Sequence, residues 1–235
     1  MSKGKIYLIP TTLGDSPIND VLPPKTIDIL SQLQHFAVEN IRTTRRYIKK
    51  VIPEKDINQI TFHLLNKHTS ISEIRHILQS VEQGIDLGII SEAGNPCIAD
   101  PGSLLTREAH RNNLQIIPLT GPSSILLALI SSGMNGQNFA FNGYLPISPQ
   151  ERIKKLRQLE KKSQSEQQPQ IFMETPYRNK QMIESIIKTC HPETLLCIAT
   201  NLTLSNEFIK TAPISYWKKH IPEIHKQPCI FIIGA

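Results

Sequence analysis

Long apolar runs are missing from this chain of 235 residues. A membrane-spanning helix needs about 20 predominantly apolar residues, and candidates here such as 85–90 and 229–233 are strand-sized. The amino-terminal stretch has a basic tip but only four apolar residues, Ile6 to Ile9, before Pro10, short of the apolar core of a secretory signal. Cysteine is scarce and scattered. Cys97, Cys190, Cys197 and Cys229 form no CxxC pair, and in a chain this long they read as reduced thiols rather than a disulfide framework. The expectation from these absences is a cytoplasmic protein with no membrane association.

Catalytic signatures are missing too. There is no G-x-x-x-x-G-K-[ST] phosphate loop, no G-x-G-x-x-G after the first apolar run, no H-E-x-x-H and no G-x-S-x-G. A P-loop nucleotidase is thereby disfavoured. The eight histidines lie apart, with His63 and His68 five residues from each other and His191 beside Cys190, which is poor spacing for ligands, so no metal is expected.

What is present describes a folding chain. Apolar residues make up 39% and charged residues 20%, enough to bury a core and too little charge for a disordered tail. The net charge of +6 is uneven: residues 1–119 hold 13 Lys and Arg against 12 Asp and Glu, and residues 120–235 hold 13 against 8. Two basic clusters stand out: Arg42, Arg45, Arg46, Lys49 and Lys50, then Arg152, Lys154, Lys155, Arg157, Lys161 and Lys162. A solvated helix face explains such runs as readily as binding of a polyanion such as RNA. In the first cluster, spacings of three and four let Arg42, Arg45, Arg46 and Lys49 share one helix face.

Short apolar runs alternate with longer amphipathic stretches. Strands are predicted at 5–9, 34–38, 61–65, 86–90 and 115–118, with helices at 24–33, 43–50, 70–83 and 101–112 between them. Such alternation specifies βαβ units and a mostly parallel sheet. After Gly121-Pro122-Ser123-Ser124 an apolar helix begins and the pattern restarts, with strands at 139–142, 170–173, 194–199, 206–210 and 229–233 and helices at 148–161, 176–189 and 213–220. Consecutive strands across 194–210 point to a mixed second sheet. The polar stretch 161–169 reads as a helix end and mobile loop. The fold class is α/β, as two α/β domains, one over 1–119 and one over 120–235.

Three loops follow predicted strands of the first half, at 10–15, 91–102 and 119–124. In an open α/β sheet, ligands bind outside the carboxyl ends of the strands. Each loop combines small residues, which let a ligand approach the backbone, with hydroxyl, amide or carboxylate groups that orient it. Turn formation accounts for any one of them; three at one sheet edge point to a site.

The order of Ile9-Pro10-Thr11-Thr12-Leu13-Gly14, Glu39-Asn40-Ile41-Arg42-Thr43-Thr44-Arg45, Ser91-Glu92-Ala93-Gly94-Asn95-Pro96 with Asp100-Pro101-Gly102, Gly121-Pro122-Ser123, Gly143-Tyr144-Leu145-Pro146 and Glu174-Thr175-Pro176-Tyr177-Arg178 resembles the tetrapyrrole methylase superfamily. The resemblance runs from residue 5 to about 234, and within the superfamily it looks most like the branch that modifies small-subunit ribosomal RNA. It implies a homodimeric S-adenosylmethionine-dependent methyltransferase with the cofactor in a cleft between two α/β domains. By position, it implies cofactor contacts from Leu13, Asn95, Ile98, Ser123 and Ser124, and from Met173, Asn201 and Cys229 in the second domain. It also implies ribosomal RNA or the small ribosomal subunit as partner and a ribose 2′-hydroxyl of 16S ribosomal RNA as acceptor, and the shared basic helix face makes Arg42, Arg45, Arg46 and Lys49 the candidate RNA contacts. Methyl transfer is an in-line displacement, in which orientation supplies up to ~7–11 kcal/mol. A hydroxyl acceptor also gains from a base or an oriented hydrogen-bond acceptor. The candidates are Glu39, Glu92, Asp100 and Glu174, although the spacings Glu39–Arg42 and Glu174–Arg178 suit local ion pairs equally well.

The chain departs from that branch at several positions. Val38-Glu39-Asn40-Ile41-Arg42 stands where the branch usually shows A-E-D-T-R, Thr12 and Asp15 replace a proline and an asparagine, and Thr200-Asn201-Leu202-Thr203-Leu204 replaces R-E-L-T-K. Cofactor binding is expected to survive these changes. The acceptor is less constrained, so a small tetrapyrrole or corrinoid precursor, or a catalytically reduced paralogue that binds cofactor or RNA, stand as alternatives.

Overall fold

Every residue of the strand Leu87–Ile90 is buried, as expected for the middle of a parallel sheet covered on both faces. The computed structural model describes residues 2–234 and separates into two compact units, Met1–Ser123 and Ser124–Ala235. In the first, β1 (Lys5–Ile9), β2 (His35–Val38), β3 (Thr61–Leu64), β4 (Leu87–Ile90) and β5 (Gln115–Pro118) form one sheet in the order β3-β2-β4-β1-β5. All its pairings are parallel, so the five carboxyl ends lie along one edge.

Parallel neighbours need crossover connections. These are α1 (Ile18–Val21) with α2 (Pro24–Gln32), then α3 (Ile41–Val51), α4 (Ile71–Glu82) and α5 (Gly102–Arg111). Ile6, Leu87 and Ile89 pack with Leu78 and Val81 of α4 and Leu105 and Ala109 of α5, whereas Ile9, Phe36 and Ile90 pack with Leu30 of α2 and Ile48 of α3. The start of α4 is fixed by a capping box, in which the Ser70 hydroxyl accepts from the Glu73 N–H and Glu73 accepts from the Ser70 N–H.

The second unit begins with α6 (Ser124–Ser132) and continues through β6 (Ala140–Tyr144), α7 (Pro149–Glu166), β7 (Gln170–Glu174), α8 (Asn179–Thr189), β8 (Leu195–Thr200), β9 (Phe208–Pro213), α9 (Ile214–Trp217) and β10 (Cys229–Gly234). Its strand order is β6-β7-β10-β8-β9, with β6 and β7 parallel and the other pairs antiparallel, the mixed sheet expected from sequence. In the core Phe172 and Phe231 stack at 5.7 Å between centroids, and the Trp217 indole N–H donates to the Leu196 and Ala212 carbonyls at 3.0 and 3.2 Å.

Some expectations need correction. Residues 161–166 are helix, not loop: Ser163 is buried with its hydroxyl on the Ile233 carbonyl, Lys162 pairs with Glu166, and the left-handed Gln167 then ends α7. Arg152 does not join an exposed basic face. It is buried and donates to the Ser185 hydroxyl at 3.0 Å and the Ile147 carbonyl at 3.1 Å. The helix read at 213–220 is the single turn of α9, because β9 persists through Pro213. A 3-10 turn at Pro176–Arg178 delays the start of α8 to Asn179.

The segment where the sequence placed a domain join is tied to the first sheet. Leu119 N–H donates to the Leu8 carbonyl, the Thr26 hydroxyl donates to the Thr120 carbonyl, and the compact units divide four residues later, after Ser123. Gly121 is required here by close approach, since a Cβ on it would lie 2.3 Å from Cγ of Pro10. Gly121→Ala is expected to destabilise the protein by about 1–3 kcal/mol, the usual range for overpacking. Urea unfolding followed by far-UV circular dichroism measures this, and a wild-type midpoint would contradict the packing described.

Candidate active site

Gly94 is where the three loops meet. Its carbonyl accepts from the Thr11 N–H at 2.9 Å and from the Ser91 hydroxyl at 3.0 Å, stitching the β1 loop to the β4 loop. Its φ of +69° is a left-handed conformation that glycine adopts without a Cβ penalty, and a Cβ there would lie 3.1 Å from Leu13 and 3.4 Å from the Pro122 carbonyl. Leu13, Gly94 and Pro122 thus bring together the loops read from sequence at 10–15, 91–102 and 119–124.

The middle loop is held under strain. Cys97 and Ala99 have φ of 70° and 60°, values that residues with a Cβ rarely adopt. Asp100 clasps the turn, accepting from the Cys97 N–H at 2.8 Å and the Gly102 N–H at 2.7 Å. Burial pushes its carboxyl upward against the pull of those two bonds. The Cys97 thiol, raised to about 11 by burial and then by the Asp100 charge, stays protonated near neutral pH. Asn95 is partly buried in this loop, Ile98 is exposed on it, and Ser123 is partly buried just ahead of α6, which Ser124 begins.

Three of the four candidate carboxylates share this edge. Glu39 follows β2, and burial, then the charges of Asp100 and Glu92, push its carboxyl above the ordinary 4.5. Glu92 accepts from the Thr43 hydroxyl of α3 at 2.6 Å. Glu174 lies in the other unit, where its wholly buried side chain accepts from Arg178 and from the Thr175 N–H.

The departures at 15, 40 and 201 each have a local role. The Asn40 side chain caps α3, accepting from the Arg42 and Thr43 N–H groups at 2.9 and 3.3 Å, a position where asparagine serves as well as aspartate. Asp15 pairs with Lys50 at 2.5 Å, which holds its carboxyl below the usual range. Asn201 is buried with φ of 50°, donates its side-chain amide to Gln227 and its N–H to the Pro228 carbonyl. It follows β8 beside β10, where Cys229 lies directly opposite both Glu174 and Thr200, and Met173 opposite Ile230. Met173, Asn201 and Cys229 therefore gather at one end of the second sheet. Burial pushes the Cys229 thiol well up.

The basic face of α3 divides. Arg45 lies over the Phe62 ring at 5.5 Å and the Lys49 ammonium binds the Pro53 carbonyl, whereas Arg46 and Lys50 line a pocket of about 340 Å³ together with Thr11–Asp15, Thr43, Tyr47 and Ser91–Ala93. Sequence reasoning named the loop that holds Thr11 without singling Thr11 out, and missed Tyr47 as a lining residue. The Tyr47 hydroxyl donates to the Pro10 carbonyl at 2.9 Å, and burial raises its pKa. The Thr11-Thr12 pair directly after a strand was the available signal. Among the described residues, no group of three or more His, Cys, Asp or Glu can hold a metal ion, and no helix is long and apolar enough to cross a membrane.

The fold and this edge define a class of α/β proteins with a ligand platform at the carboxyl ends of a parallel sheet. Residues 5–216 match the model of the Tetrapyrrole (Corrin/Porphyrin) Methylases, and the chain belongs to that family. It is a methyltransferase whose methyl donor is S-adenosylmethionine. It is similar to the "Ribosomal RNA small subunit methyltransferase I" of Vibrio cholerae, 28% identical over 210 residues that cover 89% of this chain and 69% of the relative. The protein of the same name from Buchnera aphidicola subsp. Schizaphis graminum is 29% identical over 233 residues, 98% of this chain and 78% of its own. The uroporphyrin-III C-methyltransferase of Thermus thermophilus, solved in complex with S-adenosyl homocysteine, shares the fold with a TM-score of 0.57 at 13% identity, over 98% of this chain and 97% of its own.

The raised carboxyl of Glu39 has a consequence for stability. A carboxyl raised in the folded state binds its proton more tightly than in the unfolded chain, so its stabilising contribution is full at acid pH and is lost as pH rises through the raised value. Glu39→Gln removes that loss. The variant is expected to show a higher thermal midpoint than wild type at pH 7 and an equal one near pH 4; equal midpoints at both pH values would contradict the electrostatic reading.

Proposed function

We propose that the chain transfers a methyl group from S-adenosylmethionine to a ribose 2′-hydroxyl of 16S ribosomal RNA. The observation that carries this reading is the convergence of the three loops on Gly94 beside a pocket with a basic helical wall. The donor supplies a methyl group on a cationic sulfur. The acidic surroundings of Glu39, Glu92 and Asp100 suit a cation, and the small residues around Gly94 admit a ligand close to the backbone. Leu13, Asn95, Ile98 and Ser123 of the first unit hold the donor in this reading. The chain works as a homodimer.

The acceptor follows from charge and from the relatives' names. A small macrocycle needs a few polar contacts, whereas Arg42, Arg45, Arg46 and Lys49 on α3, and Lys154, Arg157 and Lys161 along α7, offer extended exposed cation to a phosphate backbone. Asp100 acts as the clasp of the donor loop, which leaves Glu92, fixed by Thr43, to orient the acceptor hydroxyl.

Incubation with methyl-labelled S-adenosylmethionine and naked 16S ribosomal RNA or 30S subunits, followed by nucleoside analysis, tests the function. Label in a 2′-O-methylnucleoside is the expected result; transfer to a tetrapyrrole or corrinoid precursor and none to RNA would overturn it. For the donor contacts, replacing Asn95 and Ser123 together by Leu is expected to weaken S-adenosylmethionine binding at least tenfold, about 1.4 kcal/mol. Unchanged affinity by titration calorimetry would remove these residues from the donor site.

A further inference from the structure

The pocket between the β1 loop, the first turns of α3 and the segment after β4 contains groups that packing does not use. Thr11 is 3% exposed, and its hydroxyl oxygen has no hydrogen-bond partner. Buried hydroxyls in folded proteins are nearly always bonded, so an orphan lining a cavity marks a place for a ligand atom. Arg46, on the same pocket wall, is exposed and has no ion pair among the described residues, whereas Lys50 one turn on is neutralised by Asp15. Glu92 completes the set, with one carboxylate oxygen fixed by the Thr43 hydroxyl at 2.6 Å.

These three groups ask for different things. A guanidinium prefers a phosphate, which it binds through paired N–H donors. A fixed carboxylate and an unsatisfied hydroxyl bind ligand hydroxyls. A ribonucleotide carries these complements, with a phosphate and a ribose. The pocket volume of about 340 Å³ lies at the lower end of small-ligand sites, fitting one such unit rather than a macrocycle. Enzymes that modify a nucleotide within RNA take hold of an unstacked one, because a stacked base and its sugar are shielded.

We infer that this pocket is the acceptor subsite: it holds one unstacked nucleotide of the RNA, with Arg46 on its phosphate and Thr11 and Glu92 on its ribose hydroxyls. The inference rests on the RNA reading above and deepens it. It sets the acceptor beside the donor, with Leu13 on the border, since Leu13 lines this pocket and Asn95, Ile98 and Ser123 do not. It also gives neighbouring arginines on α3 different roles, because Arg45 lies over Phe62 and does not line the pocket.

The test compares Thr11→Val, Arg46→Gln and Glu92→Gln with the wild-type chain. Titration calorimetry gives the affinity for S-adenosylmethionine, and filter binding at several salt concentrations gives the affinity for 16S ribosomal RNA. Arg46→Gln is expected to weaken RNA binding and lower its salt slope by about 0.7–0.9, the loss of one phosphate contact. Thr11→Val and Glu92→Gln are expected to weaken RNA binding severalfold with an unchanged salt slope. Thr11→Val and Arg46→Gln should bind S-adenosylmethionine within twofold of wild type. Weakened donor binding with wild-type RNA affinity would assign the pocket to the donor and overturn the inference, as would wild-type behaviour in all three. No RNA binding by the wild-type chain would overturn the RNA reading and the inference with it. Should Thr11→Val fail to fold, the exposed Arg46→Gln decides the matter.

Discussion

The carbonyl of Gly94 accepts two hydrogen bonds, and the geometry of the first unit's working edge follows from them. Through the Thr11 N–H, the loop after β1 is set against the loop after β4; through the Ser91 hydroxyl, the β4 loop is folded back on itself. The left-handed backbone at Gly94 is what turns that carbonyl toward its donors, and Leu13 and Pro122 fill the space where a side chain would stand. β1 is paired with both β4 and β5, so three loops emerge side by side and one glycine suffices to join them.

Electrostatics then divides the work along the edge. Asp100 is occupied by two backbone N–H groups and keeps a strained turn in place, which makes it a structural carboxylate. Glu39, half-buried near Asp100 and Glu92, has its charge disfavoured. Glu92 is exposed and oriented by Thr43, so it is the carboxylate of this edge best placed to meet a ligand. A mixed set of this kind, one clasp, one suppressed charge and one presented charge, favours a cationic group nearby without binding it through any single ion pair.

Much of this was legible in the sequence. The alternation of apolar runs and amphipathic stretches specified a parallel first sheet, and the consecutive strands after residue 194 specified a mixed second one. Small-residue loops after strands marked the edge at which Leu13, Gly94 and Pro122 meet. The illegible parts depend on partners far away in the chain. Arg152 looks like surface charge until Ser185 of α8 covers it, and Arg45 and Arg46 look equivalent until Phe62 on β3 takes one of them. Thr11 reads as an ordinary turn residue, since nothing local shows that its hydroxyl is buried without a partner. The extra turns of α7 depend on Ser163 reaching Ile233, seventy residues on.

The central claim is that the loops joined at Gly94 form the donor platform. Amide hydrogen exchange with and without S-adenosylmethionine tests it most directly. The expected result is new protection concentrated in residues 91–102 and 119–124, with the β1 loop following through its bond to Gly94. Protection confined to other segments, with these loops exchanging as in the free protein, would contradict the account.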